Sequence, residues 1–266
     1  MQTLLTLATI VLYLASFAVL LKFVLQHARG SLKPFALLYA ASIVGHSLCL
    51  DGTLFHGENL HLGLFQVSSL IFCAISIISL ASVLRNRPIH NLLLILIPFT
   101  AISVAVGHWS PASVDKIITG KGLVIHIVLS VLAYSLITLA AVQAVMLAVQ
   151  EQQLRRHDFS GLFRYLPPLQ TMEALLFEMI WLGFILLTAA IASGFVFLED
   201  MFAQHLVHKT LLSLCAWCIF AILLFGRHQR GWRGTTATKW TVGGFLLLML
   251  AYFGSKFVLE IILHRV

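Results

Sequence analysis

The stretch MQTLLTLATIVLYLASFAVLLKF, residues 1–23, decides the fold class of this chain. Its only charged side chain is Lys22, and its apolar run is as long as the roughly 20 residues that a helix needs to cross a bilayer. No basic residue precedes the run, which is also too long for the hydrophobic part of a signal peptide. We therefore interpret residues 1–23 as a membrane-spanning helix that is not a cleaved leader.

The rest of the 266-residue chain has the same character, with a mean hydropathy of +0.97 and only 10% charged residues. Backbone groups in lipid must bond to one another, so the apolar stretches are expected to be helices. The sequence predicts an all-α, polytopic membrane protein with a bundle of about eight transmembrane helices. The predicted spans are residues 3–25, 34–50, 62–84, 88–106, 122–149, 172–198, 207–226 and 240–263.

The predicted connections are too short to hold a water-soluble domain. We expect one integral membrane domain over 1–266, with four N-terminal helices in 1–121 and a C-terminal core in 122–266. The longest connections are residues 107–121 and 150–170, and the second ends in Pro167 and Pro168, which suit the start of a new helix.

Basic residues separate the loops into two groups and predict the orientation. Loops rich in Lys and Arg stay in the cytoplasm, so both termini are predicted to be extracytoplasmic, in a bacterial inner membrane. The net charge of +7 reflects this topology and gives no reason to expect nucleic acid as a partner. The basic group contains Lys22, Arg29, Lys33, Arg85, Arg87, Arg155, Arg156, Arg164, Arg227, Arg230, Arg233 and Lys239, and the other loops only Lys116, Lys121, Lys209 and Arg265.

Histidines are the residues that point most clearly to a cofactor. His46, His126 and His264 lie near the predicted outer ends of spans two, five and eight, where a neutral imidazole is costly unless it is hydrogen-bonded or ligates a metal. Imidazoles from separate helices could hold a haem iron between them. Read singly, each is equally compatible with a hydrogen-bonded residue at the membrane edge.

The stretch HLVHKT, residues 205–210, places His205 and His208 three residues apart, on one face of a helix. A zinc site would need further ligands from Glu199 or Asp200, whose spacing fixes no geometry. Lys209 would repel a dication and attract a carboxylate.

Two further patterns within the spans have structural explanations. The CAWC pair, Cys215 and Cys218, is interpreted as two small packing residues. Lys256 and Glu260 stand four residues apart and could form an intrahelical ion pair.

Three motifs carry a resemblance to a known family. They are IHIVLSVLAYS at 125–135, GWRG at 231–234 and YFG at 252–254. With them, residues 122–264 resemble the cytochrome c assembly family of haem-handling membrane proteins, the CcsA, CcmC and CcmF group, and most closely its YpjD- and HemX-like branch. The likeness is weaker over the first 120 residues.

The resemblance implies haem held at the outer face between two histidines that flank a tryptophan-rich stretch. His126 matches the first ligand, and His264 falls within about one residue of the second. In place of the tryptophan-rich stretch this chain has EDMFAQHLVHKT, residues 199–210. His205 and His208 of this stretch could replace a lost contact or ligate the iron, so the candidate ligands are His126, His208 and His264, in that order. His205, and His46 from its place near the outer end of span two, are further candidate cofactor contacts.

From these observations the sequence predicts a haem-binding or haem-handling membrane protein, with lipid, haem and other proteins of a cytochrome assembly or quality-control complex as partners. No residue set supports bond-making chemistry, so we do not expect an enzyme. One alternative is a scaffold or regulator that keeps the fold without haem. Another is a small transporter that uses Glu178 and Lys256.

Overall fold

A computed structural model describes residues 1–26, 31–56, 59–60, 63–110, 121–156, 166–197, 207–254 and 257. Over these residues it contains eight helices, each long and apolar enough to cross a membrane. A two-residue antiparallel pairing joins β1 (Phe55–His56) and β2 (Asn59–Leu60). The helices are α1 (Gln2–Leu25), α2 (Lys33–Leu54), α3 (Leu64–Leu84), α4 (His90–Trp109), α5 (Lys121–Arg156), α6 (Leu169–Phe197), α7 (Val207–Arg230) and α8 (Gly234–Met249), which continues as a π-helical turn, Leu250–Gly254.

The predicted bundle of eight membrane helices is confirmed, with differences at the ends of two of them. Helix α5 is 36 residues long because the polar sequence that follows its apolar part consists of Gln, Glu, Leu and Arg, all good helix formers. Helix α8 begins at Gly234, six residues before the predicted start at residue 240. The predicted end of this span at residue 263 lies outside the described residues.

The contacts divide the chain into two compact units, one with α1–α4 and the other with α5–α8. The division follows Ile117, close to the predicted boundary between residues 121 and 122. In the first unit α1 packs against α2 and α4, and α3 packs against the same two helices. In the second unit α5 packs against α6 and α8, and α7 packs against α6 and α8.

Helix α1 buries polar side chains and exposes apolar ones. Its buried face carries Thr6, Thr9, Tyr13 and Ser16, three or four residues apart, while side chains such as Leu4 face outward. Apolar side chains gain little by moving from lipid into the protein interior, so helices in a bilayer associate through small residues and hydrogen bonds. This helix therefore packs by the rules of a membrane and not by those of a water-soluble protein.

His46 of α2 lies at the centre of the N-terminal unit, fully buried. Its Nδ1 is 3.1 Å from the hydroxyl of Tyr13, and its Nε2 is 2.9 Å from the hydroxyl of Ser69. Both ring nitrogens therefore have partners, from α1 and from α3. This network links three helices and satisfies an imidazole that would otherwise be costly in the membrane.

We expect Tyr13→Phe to lower the free energy of unfolding by about 1 kcal/mol, because it leaves one buried nitrogen of His46 unpaired. Thermal unfolding of the detergent-purified protein measures this change. Ser82→Ala is the matched control, because the Ser82 hydroxyl donates to the carbonyl of Ile78 in its own helix. Equal losses in both variants would contradict a special role for the network.

Helices α5 and α6 approach closely at Gly183. A Cβ atom at this position would lie 2.9 Å from Cγ1 of Ile137, so only glycine permits the observed separation.

In the same unit, Cys215 and Cys218 are free thiols on the exposed surface of α7. Our interpretation of this pair as packing residues was therefore wrong, because the packed face of α7 carries Ala216 and Phe220 instead.

Candidate functional site

A cavity of about 260 Å³ lies at one end of the C-terminal unit. It is formed where α5 and α7 begin and where α6 and α8 end, so all four helices contribute to its wall. Apolar atoms form most of the lining surface. The polar lining residues are His126, Ser130, Tyr134, Lys209, Thr210, Ser213 and Tyr252, and the others are Ala133, Leu187, Ala190, Ile191, Leu214, Leu248 and Ala251.

The imidazole of His126 is held by the end of helix α6. Its Nδ1 is 2.9 Å from the backbone oxygen of Ala190 and 3.1 Å from the hydroxyl of Ser193. That hydroxyl donates its own hydrogen to the Ala190 oxygen over 2.8 Å. Both neighbours of Nδ1 are therefore acceptors, and Nδ1 must carry the proton.

This arrangement fixes the tautomer of His126. With the proton on Nδ1, the neutral ring keeps its lone pair on Nε2, the form in which histidine binds metals. Within the described part of the chain Nε2 makes no hydrogen bond, so it remains available to the cavity that His126 lines. Histidine ligands commonly have such a second bond, from the other ring nitrogen to a backbone oxygen.

Tyr134 contributes a second polar group to the cavity. Its hydroxyl is buried and has no hydrogen-bond partner among the described residues. The ring is held by edge contacts with Phe245 and Phe253. Because Tyr134 follows His126 by two helical turns on α5, the two groups lie on the same face of the helix.

The α7 wall of the cavity supplies a positive charge. Lys209 and Thr210 lie in the first turn of α7, and Ser213 and Leu214 follow one turn later. The cation stands at the end of the helix, near the level of His126, where a ligand's acidic group would meet water. The cavity thus combines an imidazole lone pair and a cation with apolar walls.

The other predicted site residues lie elsewhere. His208 is exposed and is not part of the cavity wall, because consecutive helical positions differ by about 100°. His46 belongs to the N-terminal unit and has both ring nitrogens hydrogen-bonded. His205 and His264 fall outside the described residues. The predicted roles of all five histidines as cofactor contacts stay predictions.

The described residues contain no group of three His, Cys, Asp or Glu side chains that could hold a metal ion.

Sequence reasoning missed an ion pair at the opposite end of the same unit. Glu173 is only 5% exposed, and its Oε1 accepts a hydrogen bond of 2.7 Å from Nη1 of Arg227. The guanidinium of Arg227 lies 4.4 Å from the ring centroid of Phe177 and also donates to the backbone oxygen of Trp232. A glutamate near the start of one predicted span and an arginine near the end of the next were visible in the sequence, and antiparallel neighbours bring such positions together.

The fold and the cavity define a polytopic membrane protein with a ligand-sized recess at one end of its C-terminal helices. The chain belongs to the cytochrome c assembly protein family, whose model matches residues 4–263. The expectation that the likeness is weaker over the first 120 residues stays a prediction, while the family match itself extends almost to the N-terminus. This match confirms the family that the motifs in the second half indicated.

Three relatives illustrate this membership. The chain is 29% identical to the inner membrane protein YpjD of Escherichia coli over 96% of this chain and 98% of that protein. It is 27% identical to protein HemX of Brevibacillus brevis over 53% of each. It is 25% identical to the cytochrome c biogenesis protein CcsA of Chlamydomonas reinhardtii over 52% of this chain and 38% of that protein. No solved structure matches the chain.

The spans and the similarity to YpjD confirm the predicted inner-membrane location. Family membership suggests a haem-handling role for this chain, in cytochrome c assembly.

Proposed function

We propose that this protein binds haem in the cavity of its C-terminal unit, with Nε2 of His126 as an axial ligand to the iron. The observation that carries the proposal is the hydrogen bond from Nδ1 of His126 to the Ala190 oxygen, which leaves Nε2 as the unprotonated atom. Family membership and the names of its relatives support haem as the ligand.

The lining of the cavity suits part of a porphyrin. Its apolar residues would contact the macrocycle, and Lys209 would attract a propionate carboxylate at the water-facing end. The volume of about 260 Å³ lies just below the roughly 300–1,000 Å³ of typical small-molecule sites, so one edge of the haem would extend beyond the wall. We therefore expect the bound haem to be able to leave the cavity, because the protein does not enclose it completely.

The residues of this chain would bind and orient the haem, and the haem would supply whatever redox chemistry its iron performs. We propose a haem-handling protein and not an enzyme. Proteins of a cytochrome assembly complex are its proposed partners.

The absorption spectrum of the purified protein tests this proposal. Protein made in cells with ample haem should show a Soret band, with about one haem per chain by extraction. A colourless preparation that also fails to take up added haem would contradict the proposal and favour a scaffold or regulator. The transporter alternative requires a substrate-dependent defect in Glu178→Gln.

A further inference from the structure

A second cavity, of about 270 Å³, lies at the other end of the C-terminal unit. It is lined by Glu151 of α5, Glu173 of α6, and Arg233 and Gly234 at the start of α8. Glu151 follows His126 by 25 residues on the same helix, about 37 Å at 1.5 Å per residue, which exceeds the roughly 30 Å of bilayer hydrocarbon. The two cavities therefore lie at opposite boundaries between membrane and water.

The carboxylate of Glu151 has one oxygen without a partner. Its Oε1 accepts a hydrogen bond of 2.7 Å from Nη2 of Arg155. Its Oε2 is buried and has no hydrogen-bond partner among the described residues. Gln170 of α6 also lines the cavity but donates no hydrogen bond to this oxygen. A buried carboxylate oxygen without a donor is costly, so a ligand that supplies one would be favoured.

The GWRG loop brings a positive charge to the same cavity. Gly231 and Gly234 adopt positive φ angles of 64° and 56°, and the ring of Trp232 between them stacks on Trp240. The loop thereby places Arg233 over the cavity, where its Nη2 lies 3.5 Å from Oε2 of Glu173 and its side chain is 66% exposed.

Arg233 keeps most of its hydrogen-bonding capacity. The stronger partner of Glu173 is Arg227, at 2.7 Å, and at 3.5 Å the contact with Arg233 is weak. A guanidinium has five N–H donors in a plane that suits the oxygens of a phosphate. The cavity therefore presents an acceptor that lacks a donor beside a cation that can bind an anion.

We infer that this cavity binds the headgroup of an ethanolamine phospholipid. The primary ammonium donates to Oε2 of Glu151, and the phosphate accepts from Arg233. Leu147 and Leu169, which also line the cavity, contact the glycerol and the first methylenes of the chains. A choline headgroup has no N–H to donate. A glycerol headgroup can donate only from neutral hydroxyls, whose hydrogen bonds to a carboxylate are weaker than those of an ammonium.

The position of the cavity favours a membrane lipid over a soluble amine phosphate. It lies at the membrane boundary, and it is lined by Leu147, one turn of α5 before Glu151 on the membrane side, and by Leu169 at the start of α6. These side chains offer a surface along which acyl chains can lie. A soluble headgroup would gain the two polar contacts but none of this apolar surface.

Native mass spectrometry of the full-length protein in mixed lipid–detergent micelles tests the inference. With equal amounts of phosphatidylethanolamine, phosphatidylcholine and phosphatidylglycerol, we expect roughly tenfold preferential retention of the ethanolamine lipid, as one charge-assisted hydrogen bond would give. Glu151→Gln should abolish the preference. Arg155→Gln is the matched control and should keep it, because Oε2 does not depend on Arg155.

Three results would overturn the inference. Equal retention of the ethanolamine and choline lipids would show that N–H donation plays no part. An unchanged preference in Glu151→Gln would remove the carboxylate from recognition. Release of the bound lipid by millimolar free phosphoethanolamine would assign the cavity to a soluble ligand. None of these readouts involves haem, so the result is independent of the function proposed for the first cavity.

Discussion

Protein that carries His126→Ala is expected to be purified without a Soret band, from the same cells that give coloured wild-type protein. The substitution removes the imidazole whose tautomer is fixed by Ala190 and Ser193, and no other described histidine lines the cavity. Without an axial nitrogen, the haem keeps only its contacts with the walls and with Lys209. The absorption spectrum and the haem content per chain measure the loss.

Three controls separate ligation from general damage to the protein. His208→Ala should keep the band, because His208 is exposed and outside the cavity wall. Ser193→Ala should weaken haem binding by less than about tenfold, since the Ala190 oxygen still accepts from Nδ1. Added imidazole should restore the band in His126→Ala. A His126→Ala protein with an unchanged spectrum would refute ligation by this residue.

The second large effect concerns the buried ion pair of Glu173 with Arg227. We expect Arg227→Met to lower the free energy of unfolding by about 2–3 kcal/mol, because a carboxylate that is only 5% exposed loses its closest cation. This loss is smaller than the roughly 3–5 kcal/mol expected when one partner of a fully buried ion pair is removed. It is smaller because the Arg227 side chain is 35% exposed and because Arg233 stays near the carboxylate.

Unfolding in detergent, followed by temperature or denaturant, measures this change. Arg233→Met is the matched control, because it removes a cation from the same carboxylate at 3.5 Å and should cost under about 1 kcal/mol. Adding Glu173→Gln to Arg227→Met should recover part of the stability, since no charge then remains unpaired. If the double variant is less stable than Arg227→Met, stranded charge is not the cause of the loss.

The topology could be predicted from the sequence because lipid leaves so few choices for the backbone. Any apolar run near 20 residues is expected to form a helix there, and six of the eight runs were found within four residues at each end. The polar stripe on α1 was not identified from the sequence, although Thr6, Thr9, Tyr13 and Ser16 recur there at helical spacing. Hydropathy alone does not show which face of each helix packs against which neighbouring helix.

The candidate site could be predicted only in part. His126 was identified from the family motif, but its partners Ala190 and Ser193 lie 64 and 67 residues away, and only the packing of α5 on α6 shows them. His208 was ranked second by its position in the sequence. Its orientation depends on the phase of α7, which begins at Val207 and turns Lys209, not His208, into the cavity.

The π-helical turn at Leu250–Gly254 includes the YFG motif, and such turns arise when a single residue is added to an α-helix. A count of helical positions begun in α8 is therefore out of step by one residue once it passes through this turn. The expectation that His264 falls within about one residue of the family's second ligand position stays a prediction. When the spacing between motifs on either side of this turn is compared among relatives, the extra residue should therefore be left out of the count.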